Sequence, residues 1–252
     1  MISSLVQRLE IPDSCALNKR VFKKLFEENV RLDATDKKAL KDDVAEIRWL
    51  YTLKPATINI PRYVDQQRDY PEVAILLVTL ASSTRVKRIA DFMQRAIPYP
   101  LMLIFGHEDR VAFSLADKRI NQADREKLVI ETSLETEWID LNELTPIQQQ
   151  FLDDLSLKRL SFVHFLALYQ DYCARVMALN CARYSGRYEV RTSEGAAQPD
   201  RVQLLREIEK VEQQQAELRN RLKKETQMGR QVTLNSEIHQ LSAQMKEMQE
   251  AL

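Results

Sequence analysis

The sequence predicts an α+β fold in which a mixed β-sheet flanked by helices is followed by a long helical region and a C-terminal coiled-coil hairpin arm. Three observations predict it. Residues 1–144 mix helical patterns with apolar runs of strand length, and residues 145–183 are apolar around most of a helix. Residues 200–252 are rich in Gln, Glu, Lys, Arg and Leu, after a linker at 184–199 that holds two of the four glycines.

Two helices are predicted near the N-terminus. The first covers residues 17–28, whose apolar residues follow helical spacing: Val21, Phe22, Leu25 and Phe26. Asp33 precedes the second helix, with Asp36 placed as its capping partner. The apolar positions of this second helix continue to Leu53, and the following Lys54-Pro55 ends it.

Strands are predicted between residues 57 and 141. Val73–Leu80 is a continuous apolar run, which is typical of a strand buried on both faces, so we place it at the centre of the sheet. A helix over residues 84–97 follows, and Leu101–Phe105 and Val111–Ala116 then form a β-hairpin. Residues 57–60 are predicted as an edge strand, 127–134 and 137–141 as further strands, and 63–70 and 118–126 as polar loops.

Thr145-Pro146 opens the long helical region, since proline is favourable at the first helical position. In the arm, spacings of four and three form a coiled-coil seam of Leu204, Ile208, Val211, Leu218, Leu222, Ile238, Leu241, Met245 and Met248. The register falters around Gly229, where a positive φ would end one helix. We therefore favour an antiparallel hairpin over the open alternative, a continuous helix in a self-associating parallel dimer.

Composition excludes several classes of protein. With four glycines the chain has no glycine-rich loop for a nucleotide, and no cofactor or metal site is predicted. The 37 basic and 37 acidic side chains cancel, which argues against strong autonomous nucleic-acid binding. Cys15, Cys173 and Cys181 lack CxxC spacing and are expected to be free thiols in a reducing cytoplasm. No membrane association is expected, because the longest apolar run is too short to span a bilayer.

Two groups of polar residues are candidate contacts for a partner or for nucleic acid. Arg85 and Arg88 lie on the helix after the central strand, and the second group follows the hairpin: Lys118, Arg119, Asn121, Gln122 and Arg125. The alternative is a charged surface complemented by nearby acidic residues. We expect Lys118 and Arg119 to be exposed, so that replacing both with alanine leaves the fold intact.

A metal-dependent nuclease remains the rival from the class of enzymes. Its carboxylate candidates are Glu46, Glu72, Asp109, Asp117 and Glu131. Asp117 and Lys118 are adjacent, so they lack the intervening strand residue that would place both side chains on one face. Catalytic residues are therefore not predicted.

Five stretches resemble an uncharacterised bacterial family, a domain of unknown function that covers nearly the whole chain. They are Lys19–Phe26, Trp49–Ile60, Ile97–Pro100, Lys118–Asp124 and Lys223–Asn235. Members of that family are often encoded beside DNA methyltransferases and helicases, in loci that look like restriction-modification or phage-defence islands. The resemblance implies a genomic neighbourhood and lends no catalytic residues.

The expected function is a non-catalytic accessory or assembly subunit of a bacterial DNA restriction-modification or phage-defence complex, acting through protein–protein contacts. The resemblance implies a DNA methyltransferase or a helicase as the partner. The alternative is a metal-dependent nuclease or a DNA-binding subunit, in which the chain itself contacts DNA.

Overall fold

The computed structural model describes residues 2–121, 128–191 and 199–252. Its helices are α1 (Ile2–Arg8), α2 (Lys24–Asn29), α3 (Ala34–Asp42), α4 (Pro55–Ile58), α5 (Val86–Ala96), α6 (Pro146–Asp154), α7 (Phe165–Ser185), α8 (Pro199–Leu222) and α9 (Met228–Glu250). Its strands are β1 (Ala16–Arg20), β2 (Val44–Leu53), β3 (Tyr63–Val64), β4 (Asp69–Tyr70), β5 (Val73–Leu80), β6 (Leu101–His107), β7 (Arg110–Ile120), β8 (Leu128–Glu135) and β9 (Ile139–Asp140). The predicted α+β class is confirmed.

The main sheet of the described residues is mixed and seven-stranded, in the order β1-β2-β5-β6-β7-β8, with β9 also paired to β7. β5 and β6 are parallel and are joined through α5, while the other pairs are antiparallel. The predicted central position of Val73–Leu80 and the predicted hairpin of β6 and β7 are both confirmed.

The sheet buries an apolar core on each face. One face packs against α2, α3 and α5, where Phe26, Leu40 and Phe92 lie over the sheet. The other face packs against α6 and α7, where Phe151 and Phe165 are fully buried. This arrangement explains why β5 and β6 read as nearly continuous apolar runs: their side chains enter apolar surroundings on both faces.

The prediction of two long N-terminal helices is wrong. Residues 16–20 form the exposed edge strand β1, so only Lys24–Asn29 of the first predicted helix is helical. The second helix ends at Asp42, and the rest of it is β2. β2 pairs irregularly at two points along β5, so its buried residues recur about every third position and imitate a helical pattern.

Three shorter predictions also differ. The predicted edge strand at 57–60 is replaced by α4, which begins at Pro55 and is followed by Asn59 with φ of 55°. The predicted loop at 63–70 contains the paired strands β3 and β4. β7 continues to Ile120, so residues 118–120 lie in a strand and not in a loop.

The predicted cap of α3 and the predicted helix start at Thr145-Pro146 are confirmed. Asp33 and Asp36 form a capping box at α3, and Thr145 and Gln148 form one at α6. The long helical region is interrupted after α6. Arg175 of α7 fills the interruption, donating to the carbonyl oxygens of Asp154 and Arg159.

The hairpin form of the arm is confirmed, because α8 and α9 pack side by side and are joined by the short turn at residues 223–227. The predicted role of Gly229 is wrong. Gly229 lies within α9 and has no positive φ, whereas Gly186, with φ of 70°, ends α7. None of the helices in the described ranges is long and apolar enough to cross a membrane.

Candidate docking surface

The base of the helical hairpin shares an apolar core with α7. The cluster consists of Met177 and Cys181 from α7, Val202, Leu205 and Ile208 from α8, and Leu252 after α9. Ile208 is fully buried. Because burying a side chain of this size stabilises a fold by about 1.5–3 kcal/mol, these contacts hold the base of the hairpin on the domain.

Glu212 is the outermost residue of α8 with a described hydrogen bond to the domain. Its carboxylate accepts from the Tyr184 hydroxyl at 2.9 Å and pairs with Arg183 at 3.4 Å. Burial, and then the bond to Glu212, raise the pKa of Tyr184. This polar contact encloses the apolar cluster on the side that faces along the hairpin.

Beyond Glu212 the hairpin contacts itself. Each hydrogen bond and ion pair described for residues 213–240 joins two hairpin residues, as between Gln215 and Ser242 at 2.9 Å. We call residues 213–240 the distal arm. From Glu212 to Lys224 the rise of an α-helix spans about 18 Å, so the distal arm projects well past the base.

The end of the distal arm is strongly basic. We define the arm tip as residues 219–232, which hold one acidic residue, Glu225, and five basic residues: Arg219, Arg221, Lys223, Lys224 and Arg230. Glu225 lies 3.9 Å from Arg230, and the amide of Gln227 is the main cause of its lowered pKa. Within the described part of the chain, Arg221, Lys223 and Lys224 carry no hydrogen bond or ion pair from their side chains.

Two large aliphatic side chains are exposed beside these cations. Met228 is 79% exposed and Val232 is 64% exposed. Residues 199–252 include no Phe, Tyr or Trp, and the imidazole of His239 lies outside the arm tip, so the tip offers no ring on which a nucleic-acid base could stack. Free cations next to flexible aliphatic side chains instead suit a protein surface that is acidic and partly apolar.

The nine predicted seam residues are buried or half-buried. They are Leu204, Ile208, Val211, Leu218, Leu222, Ile238, Leu241, Met245 and Met248. Gln215 is also buried within the hairpin and donates to the Ser242 hydroxyl. The seam therefore faces inward, which leaves the tip as the outward-facing apolar surface of the distal arm.

The predicted contact residues Arg85 and Arg88 are held in ion pairs within the chain. Arg85 donates to both carboxylate oxygens of Asp43, at 2.5 and 2.7 Å, and Asp43 is only 3% exposed. Arg88 donates to Asp36 at 2.7 Å and to Asp33 at 2.9 Å. The hydrogen bond to Asp36 is the main cause of the raised pKa of Arg88. Both arginines link α5 to the segment around α3. This structural role accounts for them, and no contact with another molecule is needed to explain them.

Lys118 is buried, so its predicted exposure is wrong. Its ammonium donates to the carbonyl oxygens of Ile97 and Tyr99, at 2.7 and 2.9 Å, just after the end of α5. Burial lowers the pKa of Lys118 to about 7. Lys118 and Arg85 therefore lie at opposite ends of α5, about 16 Å apart along the helix, and the two predicted groups do not form one surface.

The remaining members of the second group are divided. Arg119 lies in β7 and approaches Glu131 of β8 at 3.8 Å. Asn121 follows β7 and is half-buried. Gln122 and Arg125 lie outside the described residues.

The nuclease candidates are also separated or neutralised. Asp117 and Glu131 come together, but the Arg68 guanidinium lies between them and donates to each at 2.8 Å. The Tyr70 hydroxyl donates to Asp117 on the same side, whereas Lys118 reaches α5. Glu46 pairs with Arg48, Glu72 pairs with Lys54, and Asp109 occupies the turn between β6 and β7. Across the described residues no three metal-ligating side chains converge.

The arm tip was not predicted as a surface from the sequence. One signal was available: residues 219–224 hold four basic residues and no acidic residue. The leucine spacing predicts only the inward face of the helices and carries no information about the tip. Exposure of Met228 was not evident, because methionine also recurs in the seam at Met245 and Met248.

Comparison with known families gives one match. The model of a family described as a domain of unknown function (DUF4391) matches residues 9–245. No curated protein matches the chain, and no solved structure matches it.

Proposed function

The chain belongs to the DUF4391 family, and from that premise we propose that it is a non-catalytic accessory subunit of a bacterial DNA restriction-modification or phage-defence assembly in the cytoplasm. Its task is to dock a protein partner through the arm tip. The partner is a DNA methyltransferase or a helicase. The resemblance implies this, because members of the resembled family are often encoded beside such enzymes.

One observation carries this proposal: the distal arm projects from the hairpin base and ends in cations of which three form no hydrogen bond or ion pair within the described residues. Arg221, Lys223 and Lys224 are unpaired within the described residues, whereas Arg85 and Arg88 are paired. Cations at the C-terminal end of α8 suit the helix dipole, and Arg221, Lys223 and Lys224 bind no carboxylate among the described residues, so their charge remains available to another molecule.

The chemistry of the tip specifies the surface that it fits. The unpaired cations require carboxylates on the partner, and Met228 and Val232 require an apolar hollow beside them. Complementary charge accelerates association and selects the partner, while the buried aliphatic contact limits dissociation. We therefore expect an acidic patch around a shallow apolar hollow on the methyltransferase or helicase.

Affinity purification of the full-length chain from its native host tests the proposal. We expect a methyltransferase or helicase to be recovered with the wild-type chain and to be lost with the Lys223→Glu/Lys224→Glu variant. Recovery should also fall as salt rises, because exposed charge pairs are screened. Deleting residues 200–252 is a poorer test, since it uncovers the apolar cluster around Met177 and Cys181.

Lys210→Glu/Lys246→Glu is the matched control, because both lysines are exposed on the hairpin outside the tip and the charge change is the same. It should recover the partner as well as the wild type does. Equal recovery by the tip variant and the wild type would contradict the docking role. Recovery of neither enzyme by any of the three proteins would contradict the proposed assembly.

A further inference from the structure

A second basic surface lies where β1 leads into α2. β1 is at the edge of the sheet opposite β8, the strand that contacts the hairpin base. The amide of Val21 donates to the carbonyl of Ile47, and the chain then turns outward. The Lys23 ammonium donates to the carbonyl oxygen of Lys41 at 3.0 Å, which holds the end of α3 against this turn. Arg20 follows Lys19 in β1, so its side chain points to the opposite face of the sheet. We call the surface formed by Lys19, Phe22, Lys24 and Lys41 the basic corner.

Phe22 projects from the basic corner into solvent. Its side chain is 74% exposed, whereas Phe26 one helical turn later is fully buried against Phe92. Burying a phenylalanine side chain stabilises a fold by about 1.5–3 kcal/mol, and the exposed Phe22 ring contributes only a small part of that free energy. An exposed aromatic ring offers a flat face on which an unpaired base can stack.

The cations around Phe22 are largely free. Lys19 and Lys41 are exposed, and within the described ranges their side chains form no ion pair or hydrogen bond. Lys24 approaches Glu28 at 3.3 Å, but both side chains are mostly exposed, so the pair holds them weakly. Asp42 also lies near the turn, where its charge acts to raise the pKa of Lys23 against the larger, opposite effect of burial.

We propose that the basic corner binds single-stranded nucleic acid. Lys19 and Lys41 contact phosphates, and a base stacks on Phe22. The combination of an exposed ring with free cations is what separates this surface from the arm tip, whose exposed apolar side chains are aliphatic. The proposal is independent of the docking function, because it involves other residues and another class of ligand.

Fluorescence anisotropy with the full-length chain and labelled 20-nucleotide strands of thymidylate or uridylate tests this inference. We expect binding at 50 mM salt that weakens steeply by 200 mM. Phe22→Ala should weaken binding about ten-fold, and Phe22→Trp should retain it. Lys19→Ala/Lys41→Ala should weaken binding and reduce the slope of log affinity against log salt by about 1.4, at about 0.7 per lost phosphate contact.

Lys210→Ala/Lys246→Ala is the matched control, since it removes the same charge from exposed positions outside both the basic corner and the arm tip, and its affinity should equal that of the wild type. Circular dichroism melting of each variant confirms that the fold is retained. Absence of binding at 50 mM salt would overturn the proposal, as would equal affinity of Phe22→Ala and the wild type. Binding to anionic lipid vesicles without binding to either strand would assign the corner to a membrane surface instead.

Discussion

Replacing Lys118 with methionine should remove a pH-dependent contribution to the stability of the fold. Lys118 is 3% exposed, and its ammonium donates to the carbonyl oxygens of Ile97 and Tyr99. Burial lowers its pKa from 10.5 to about 7. Methionine fills a similar volume with an uncharged side chain, so the variant retains the packing and loses the titration.

The sign and size of the effect follow from the two pKa values of Lys118. Between pH 7 and pH 10.5 the unfolded chain holds one more proton than the folded chain, so the wild-type free energy of unfolding rises with pH in this window. At about 1.36 kcal/mol per pKa unit, the full effect has an upper bound of about 5 kcal/mol. Below pH 7 the penalty for burying the charge is fully present. The two carbonyl acceptors stabilise the ammonium and reduce the effect below that bound.

Urea unfolding followed by circular dichroism, at several values between pH 7.5 and 9.5, measures this contribution. The free energy of unfolding of the wild type minus that of Lys118→Met should rise by about 2–3 kcal/mol across the range. The variant also leaves two carbonyl groups without a donor, which adds a constant offset of about 1–3 kcal/mol and no slope. A difference that stays flat with pH would show that the buried ammonium remains charged, and would refute the reasoning.

Three further substitutions should destabilise the fold, each measured by urea unfolding at pH 7. Arg85→Ala leaves the carboxylate of Asp43 buried without its cation and should lower the free energy of unfolding by about 2–3 kcal/mol, since Arg85 itself is partly exposed. Ile208→Ala empties the centre of the hairpin base and should lower it by about 2–4 kcal/mol. Gly186→Ala forces a side chain into a left-handed conformation and should lower it by about 1 kcal/mol.

Each of these substitutions has a matched control in the chain. Arg95→Ala breaks an exposed pair with Asp91 and should change stability by less than about 0.5 kcal/mol. Leu222→Ala, at a half-buried position near the tip, should have a smaller effect than Ile208→Ala. Gly229→Ala lies in a helix with open space around it and should be neutral or slightly stabilising. A control that destabilises as much as its counterpart would contradict the corresponding assignment.

Features that depend on local sequence were predictable. β5 is recognisable because seven of its eight residues are apolar, with Thr79 as the exception. Both capping boxes are visible as a polar residue and its partner three positions later. The helical hairpin was also predictable, because the leucine spacing is carried by the two helices themselves.

Features that depend on distant contacts were not predictable. The irregular pairing of β2 with β5 gives its buried residues a spacing close to that of a helix, and only the neighbouring strand reveals the difference. Arg85 and Asp43 are separated by 42 residues in sequence, so the neutralisation of this cation is not visible locally.

The predicted exposure of Lys118 and the predicted burial of Phe22 were wrong for the same reason. Lys118 reads as exposed because polar residues follow it, yet β7 continues beyond it and directs its side chain to carbonyl groups about twenty residues away. Conversely, Phe22 reads as a core residue because its spacing to Phe26 is helical, and the turn between β1 and α2 places it in solvent.

The fixed base and free end of the hairpin make it a mechanical lever. With about 18 Å between Glu212 and Lys224, a rotation of about 10° at the base displaces the tip by about 3 Å, roughly the length of one hydrogen bond. Small rearrangements around Ile208 and Tyr184 are therefore magnified at the far end. Because the base of the hairpin packs against α7, a rotation of α7 relative to the sheet would move the tip farther than it moves the base.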